Sequence, residues 1–401
     1  MEFLPRSLGT RPRLACEVRA EGVIAARAED AFAVLSAVSR VPLADKSVVP
    51  RLNAVEGSEP PTLGGDAAGR AAVVAAVRKV LEAVCLRSRE VTLIVPDAAV
   101  RVLLLEFDEL PAKPAEALPI VRFRLKKLLP FDADDAAVSY QVMATAKSSL
   151  QVLAVAMPRE LLADYELVVR EAGFEPGAVL PSTLAALAGL PESAAPVLVV
   201  NAGRDGVTTA IVKAGVLLLH RTVDLGADLR ADQKADQRVA DRLLDAAAAQ
   251  LAVTANQVPL AKREQAAEQW ARQDSASFAN QNDAAAESEA ALLEQEIVQE
   301  VAQEFAAERS LSETASEVAQ AVSVAAAYFE DTLVTPPSAI NAAGTLGADA
   351  LAALLGMAHV GPLAVQEMLH AEMIGVGAAS AGSPGGVPLG WLAGVRGALA
   401  N

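Results

Sequence analysis

Residues 91–157 constrain the fold of this chain more than any other stretch. Two apolar segments, Val91 to Val95 and Val100 to Phe107, flank the turn formers Pro96 and Asp97 and read as strands. A segment with helical spacing follows. Leu118, Val121, Leu125 and Leu128 recur at three or four residues and so fall on one face. The other side carries Arg122, Arg124, Lys126 and Lys127, Pro130 ends the helix, and Asp132, Asp134 and Asp135 form an acidic turn beyond it. Two more strands, Ala137 to Met143 and Leu150 to Met157, complete the unit. The order strand, strand, helix, strand, strand predicts a compact α+β module, with one helix over one face of a small antiparallel sheet.

The flanks of this module echo one another. Leu14 to Val18, Gly22 to Arg27 and Phe32 to Leu35 read as a meander of three short strands. Val197 to Asn201, Thr208 to Val212 and Val216 to Arg221 read as a second, with turns at Gly203 to Gly206 and Lys213 to Gly215. Residues 50–66 are loop by composition. Val73, Val77, Leu81 and Val84 then mark an amphipathic helix capped by Asp66 or its neighbours. After the module come a helix from Pro158, a short strand through Ala178 to Leu180 and a helix after Pro181. From Asp228 to Val322 the chain turns rich in Ala, Gln and Glu. Residues 257–288 lack sustained apolar periodicity and read as a mobile or weakly packed segment. Apolar marks return at Leu292, Ile297, Val301 and Phe305, then at Val318, Val322 and Tyr328. Pro388 can start a short terminal helix whose Leu389, Leu392, Val395 and Leu399 share one side. Its single basic residue, Arg396, favours packing back on the protein over binding lipid.

A chain of 401 residues implies two or three domains. With aromatics at only 3%, their cores must be built from Ala, Val and Leu. A net charge of −16 argues against nucleic-acid binding, which needs clustered basic residues. The basic run Arg122 to Lys127 stands out against that charge as a candidate partner-binding face; the alternative is a solvated face balanced by Asp132, Asp134 and Asp135. Cys16 and Cys85 lie in apolar surroundings and read as buried free thiols of a reducing compartment. The opening residues lack the apolar core of a signal peptide, and no apolar run is long enough to span a bilayer, so a cytoplasmic protein is expected. His220, His359 and His370 are isolated, no cysteine pair has ligand spacing, and no P-loop or nucleophile elbow is present.

The run RFRLKKLLPFDADDAAVSYQV, preceded by EVTLIVPD, resembles the type IV pilus assembly protein PilM family, whose inserted subdomain is shared with the actin-like division protein FtsA. The resemblance covers most of residues 10–225 and, more loosely, 310–401. It implies an α/β, actin-like two-lobed (ribonuclease H-like) fold with an inserted strand-helix-strand-strand subdomain. Residues 10–90 and 158–192 would form lobe one, 91–157 the insert, and 195–375 lobe two with a mobile segment at 253–290. Residues 383–400 would be a C-terminal helix packing back on lobe one.

The resemblance also implies a nucleotide cleft between the lobes, and this chain departs from its pattern. The first phosphate loop should read Asp, one residue, Gly; here it is Glu17, Val18, Arg19, and a bulky cation obstructs a phosphate held against the backbone. The second loop gives Asn201, Ala202 and Gly203, with Arg204 and Thr208 beside them; the glycine is kept and the carboxylate is not. The adenosine-side loop retains Gly344 and Gly347 but not consecutive glycines. A degenerate cleft is therefore expected, with no catalytic residue, no metal and no hydrolysis. No cofactor is expected, ATP being the one nucleotide the resemblance brings into consideration. What the family implies instead is a cytoplasmic scaffold recruited to the inner membrane by the N-terminal tail of PilN, and through it PilO, with pilus motor ATPases as further partners. The alternative is an FtsA-like ATPase that binds ATP and polymerises at the membrane.

Overall fold

The computed structural model describes residues 12–29, 34–43, 52, 63–145, 149–191, 193–204, 206–225, 314–333, 337–358, 364–374 and 387–400. The segment expected to be mobile, 253–290, and the apolar marks from Leu292 to Phe305 lie outside these residues.

Lobe one is built on a five-stranded sheet of β1 (Leu14–Arg19), β2 (Gly22–Ala28), β3 (Leu35–Pro42), β4 (Glu90–Val95) and β8 (Glu175–Pro181), in the order β3-β2-β1-β4-β8. The first three strands run antiparallel, whereas β1, β4 and β8 are parallel. Strands β1, β2 and β4 are buried almost throughout, as continuous apolar runs require when both faces are covered. On one face lies α1 (Ala67–Val84), presenting Val73, Val77, Val80, Leu81 and Val84 to the core. Asp66 starts this helix by accepting the Gly69 N–H at 2.7 Å. Beside it α3 (Arg159–Glu171) buries Tyr165, Val168 and Val169.

Lobe two repeats the plan. Strands β9 (Val197–Ala202), β10 (Gly206–Lys213), β11 (Val216–Asp224), β12 (Ile340–Ala343) and β13 (Val365–Glu367) form a sheet in the order β11-β10-β9-β12-β13. Its strand senses match those of the first sheet, an antiparallel meander followed by parallel pairs. Helices α5 (residues 314–328) and α6 (Gly347–Met357) cover one face through Val318, Val322, Ala325, Leu351 and Leu355. Between the lobes lie α4 (Ser182–Ala188) and α7 (Leu392–Leu399). They share one apolar cluster with Ile24 and Ala26 of the first sheet and Val199 and Ala210 of the second.

The insert consists of β5 (Arg101–Phe107), α2 (Pro114–Leu125), β6 (Ala136–Thr145) and β7 (Leu150–Pro158), with antiparallel sheet order β5-β7-β6. Val121 and Leu125 of α2 pack on Leu105, Val152, Ala154 and Ala156. Three expectations need correction. Val91 to Val95 does not belong to the insert: as β4 it sits between β1 and β8 in lobe one, so the insert runs over 101–158 rather than 91–157. A strand apolar on both faces is suited to the centre of a covered sheet, not to a sheet with one open face. Leu128 does not join the buried stripe of α2. The helix ends at Leu125 and the turn after it leaves Leu128 48% exposed, while Leu129 packs inward. The third strand of the first meander is Leu35–Pro42 rather than Phe32 to Leu35; Ser36, Ser39 and Arg40 interrupt its apolar pattern, as an edge strand permits.

Cys16 is fully buried and desolvation pushes its thiol up; Cys85 is half-buried at the end of α1, less enclosed than its sequence neighbours suggest. Among the described residues no helix is long and apolar enough to cross a membrane, and no cluster of three His, Cys, Asp or Glu could hold a metal ion.

Candidate functional site: the interlobe cleft and a strand-edged groove

Three loops meet where the lobes face each other: the β1–β2 turn, the β9–β10 turn, and the segment from β12 into α6. Arg19 ends β1 and points across the gap. Its Nε donates to Glu17 Oε1 at 2.7 Å, and its Nη2 donates to Ser182 Oγ at 2.5 Å and to Asn201 Oδ1 at 2.8 Å. Ser182 in turn donates to Glu17 Oε1 at 2.6 Å. Glu17 is completely buried, so this set of donors is what makes its charge tolerable. Burial alone would lower the pKa of Arg19; the carboxylates of Glu17 and Glu21 outweigh it and hold the guanidinium charged.

Asn201 is used as an amide. Its oxygen accepts from Arg19, and its Nδ2 lies 3.0 Å from Ser182 Oγ, 2.9 Å from Thr183 Oγ1 and 3.4 Å from Asp97 Oδ2. Asp97 itself accepts the Thr183 N–H at 3.0 Å and hydroxyl at 2.5 Å, holding the first turn of α4. An aspartate at 201 would face Asp97 with a second carboxylate and lose the donor that the two hydroxyls receive.

Glu21 closes the cleft from the other side. Its Oε1 accepts the Arg204 N–H at 2.5 Å and the Thr345 hydroxyl at 2.5 Å, so one carboxylate from lobe one ties both facing loops of lobe two. Burial would raise its pKa, but the Arg19 charge and these hydrogen bonds outweigh that and hold it below the ordinary carboxylate range. Gly203 backs directly onto it: a Cβ there would stand 2.7 Å from Glu21 Oε1. Gly344 has φ +92°, and a Cβ would lie 2.5 Å from Asn201 Oδ1, so only glycine fits the approach of the third loop to the second. Gly347 stands at the start of α6 against Pro388, Glu367 accepts the Ala348 N–H at 2.8 Å, and Gly344 donates to the Gly390 carbonyl at 2.8 Å. Thr208 bonds Thr222 at 3.0 Å between hydroxyl oxygens, at the wall of the remaining space. That space is a cavity of about 50 Å³ lined by Arg19, Glu21, Asp97 and Asn201.

The loops of this cleft already make contacts with one another. The N–H of Arg204 and the face of Gly203 meet Glu21, and Asn201 stands opposite Arg19 as an uncharged amide. The structure thus brings together Glu17, Arg19, Asn201, Gly203, Arg204, Thr208 and Gly344 of the cleft residues marked in the sequence, whereas Gly347 faces Glu367 and Pro388 at the start of α6. It adds Glu21 and Thr345, which lie within the expected loops 17–22 and 342–347 but carry no motif that singles them out, and Asp97, Ser182 and Thr183, which sequence reasoning missed. The available signal was local: Glu21 shares the turn with Arg19, and Ser182-Thr183 opens a helix after Pro181.

A second site lies between the insert and lobe one. Among the described residues strands β6 and β8 are the outer strands of their sheets, and both line a groove of about 310 Å³. Its floor is apolar, with Val95, Val100, Val155, Met157 and Leu162, and Glu166 stands at its border. The basic residues of α2 and the turn after it are not equivalent. Arg122 donates to the carbonyls of Ala133 and, at 3.0 Å, Ala136, so it braces the acidic turn. Lys126 pairs with Asp134 at 2.5 Å. Arg124 and Lys127 are exposed, near Phe123, which is 69% exposed. Among the described residues neither cation has a hydrogen-bonding or ionic partner.

Two five-stranded sheets of matching order, helices packed between them and a cleft at the facing turns define an actin-like ATPase fold, here with an inserted strand-helix-strand-strand subdomain. Within that class the likeness is to PilM. The solved PilM-PilN type IV pilus biogenesis complex aligns with a TM-score of 0.53 and 16% identity, over 86% of this chain and 87% of that one. Weaker likenesses reach the cytoplasmic domain of EpsL, an inner-membrane component of the Vibrio cholerae type II secretion system (TM-score 0.34, 15% identity, 53% of this chain and 70% of that one). They also reach the ethanolamine utilization protein EutJ of Carboxydothermus hydrogenoformans (TM-score 0.38, 10% identity, 100% and 94%). No family model and no curated protein matches the sequence.

Proposed function

We propose that this chain is a scaffold of a type IV pilus assembly machine that does not hydrolyse ATP. It would hold the N-terminal cytoplasmic tail of a PilN-type membrane protein in the groove between β6 and β8. The groove carries the proposal: two strands that are outermost in their sheets among the described residues flank an apolar floor, the arrangement that lets an extended peptide add main-chain hydrogen bonds while burying alternate side chains. Recruitment by that tail would bring the protein to the inner membrane, with PilO reached through PilN and the pilus motor ATPases as further partners. Arg124 and Lys127, rather than Arg122 and Lys126, are the cations left to steer an acidic partner.

Surface plasmon resonance with a PilN-tail peptide tests this. Ala137→Arg combined with Ala178→Arg places two long side chains in the groove and weakens binding by at least about tenfold, with an unchanged circular dichroism spectrum. Arg124→Glu with Lys127→Glu slows association and flattens its salt dependence without removing binding. Full-strength binding by the groove variant would sink the assignment.

The second arm of the proposal is catalytic silence. Purified protein turns over no magnesium-ATP above a buffer control, and Asn201→Asp does not create turnover, because Arg19 and Glu21 still fill the phosphate loops. Robust hydrolysis by the unmodified protein would favour instead an FtsA-like ATPase.

A further inference from the structure

We propose that Glu21 is an intramolecular ligand that occupies the phosphate position of the cleft and latches the two lobes together, so that closure in this chain needs no nucleotide.

A carboxylate and a phosphate are both oxyanions and are recognised by the same donors: backbone N–H groups, hydroxyls and guanidinium. Two of these kinds donate to Glu21, and the third acts on it through its charge. The Arg204 N–H and the Thr345 hydroxyl each reach Oε1 at 2.5 Å, and the charge of Arg19 acts on the same carboxylate. The two hydrogen-bond donors lie 183 and 324 residues away, on different loops of the opposite lobe. A glycine in such a loop lets an anion approach the backbone closely; here Gly203 presents that bare surface to Glu21 Oε1. A chance contact of a turn glutamate would engage one neighbour. This carboxylate takes the backbone donor of one loop and the side-chain donor of the other.

Arg19 supplies a second tie in the opposite electrical sense, donating from lobe one to Asn201 in lobe two at 2.8 Å. Because both ligands are built into the chain, their effective concentration at the cleft far exceeds that of a free anion. The cleft is thereby held closed by the chain's own side chains in place of a nucleotide. The consequence for the molecule is a fixed lobe-to-lobe geometry, with no nucleotide-driven opening. This inference rests on the cleft alone and is independent of what the groove binds.

Amide hydrogen exchange on the full chain tests it, with inorganic phosphate as the probe. In Glu21→Ala the Arg204 amide loses its charge-assisted acceptor and exchanges about ten- to a hundredfold faster than in the unmodified protein. Adding phosphate restores protection in the variant and changes nothing in the unmodified protein, whose site is already filled. Glu21→Gln keeps an acceptor but not the charge, so it shows the same behaviour to a smaller degree and serves if the alanine variant does not fold. Unaltered exchange at Arg204 in both variants would overturn the latch. Equal phosphate effects on variant and unmodified protein, or none on either, would overturn the phosphate position. Peptide binding measured in parallel reads the groove separately, so loss of one reading leaves the other standing.

Discussion

Arg19→Met lowers the free energy of unfolding by about 3–5 kcal/mol, the loss seen when one partner of a buried ion pair is removed. The reason is Glu17. Its side chain is fully buried and that of Arg19 is 11% exposed, with 2.7 Å between Nε and Oε1. Methionine preserves much of the volume but leaves the carboxylate with Ser182 as its partner. Among the described residues Oε2 already lacks a hydrogen-bond partner, and it lies against the backbone of Gly394 in α7. Glu17→Gln combined with Arg19→Met removes both charges and recovers most of the loss, which separates an ionic cause from a packing one. Urea unfolding followed by circular dichroism measures both. A loss below about 1 kcal/mol for Arg19→Met would mean that the pair behaves as an exposed salt bridge and that water reaches Glu17.

Leu105→Asp unfolds the insert. Leu105 is 5% exposed and packs in a layer with Val121 and Leu125 of α2, both at 0%. The substitution forfeits about 1.5–3 kcal/mol of side-chain burial and strands a carboxylate among aliphatic groups, so the total exceeds about 4 kcal/mol. The neighbouring residue is the control. Leu104 points to the other face of the sheet and is 39% exposed, so Leu104→Asp changes stability by about 1 kcal/mol or less. Since β6 is one wall of the groove, the Leu105 variant also abolishes peptide binding while the Leu104 variant retains it. Hydrogen exchange over residues 101–158 with peptide binding alongside distinguishes the two; equal effects of both substitutions would contradict the assigned faces.

The sequence alone determined what depends on neighbours a few positions apart. The apolar runs at Leu14, Gly22, Val197 and Thr208 form strands where their composition places them, because a strand buried on both faces must be apolar throughout. The recurrence of Val73, Val77, Leu81 and Val84 marks α1, and Asp66 caps it, since both effects act within one turn of helix. The departures at Arg19 and Asn201 were likewise legible, as a bulky cation and an uncharged amide where a phosphate loop needs a glycine and a carboxylate. The tertiary structure decided the rest. Apolar pattern told that Val91 to Val95 is a buried strand but not which sheet takes it, because parallel pairing with β1 and β8 is a long-range choice. Four cations within residues 122–127 looked alike until folding turned Arg122 onto two carbonyls and Lys126 onto Asp134. Glu21 is the extreme case. In the sequence it is one acidic residue in a tight turn; its role exists only because the two lobes bring Arg204 and Thr345 to within hydrogen-bonding distance of it.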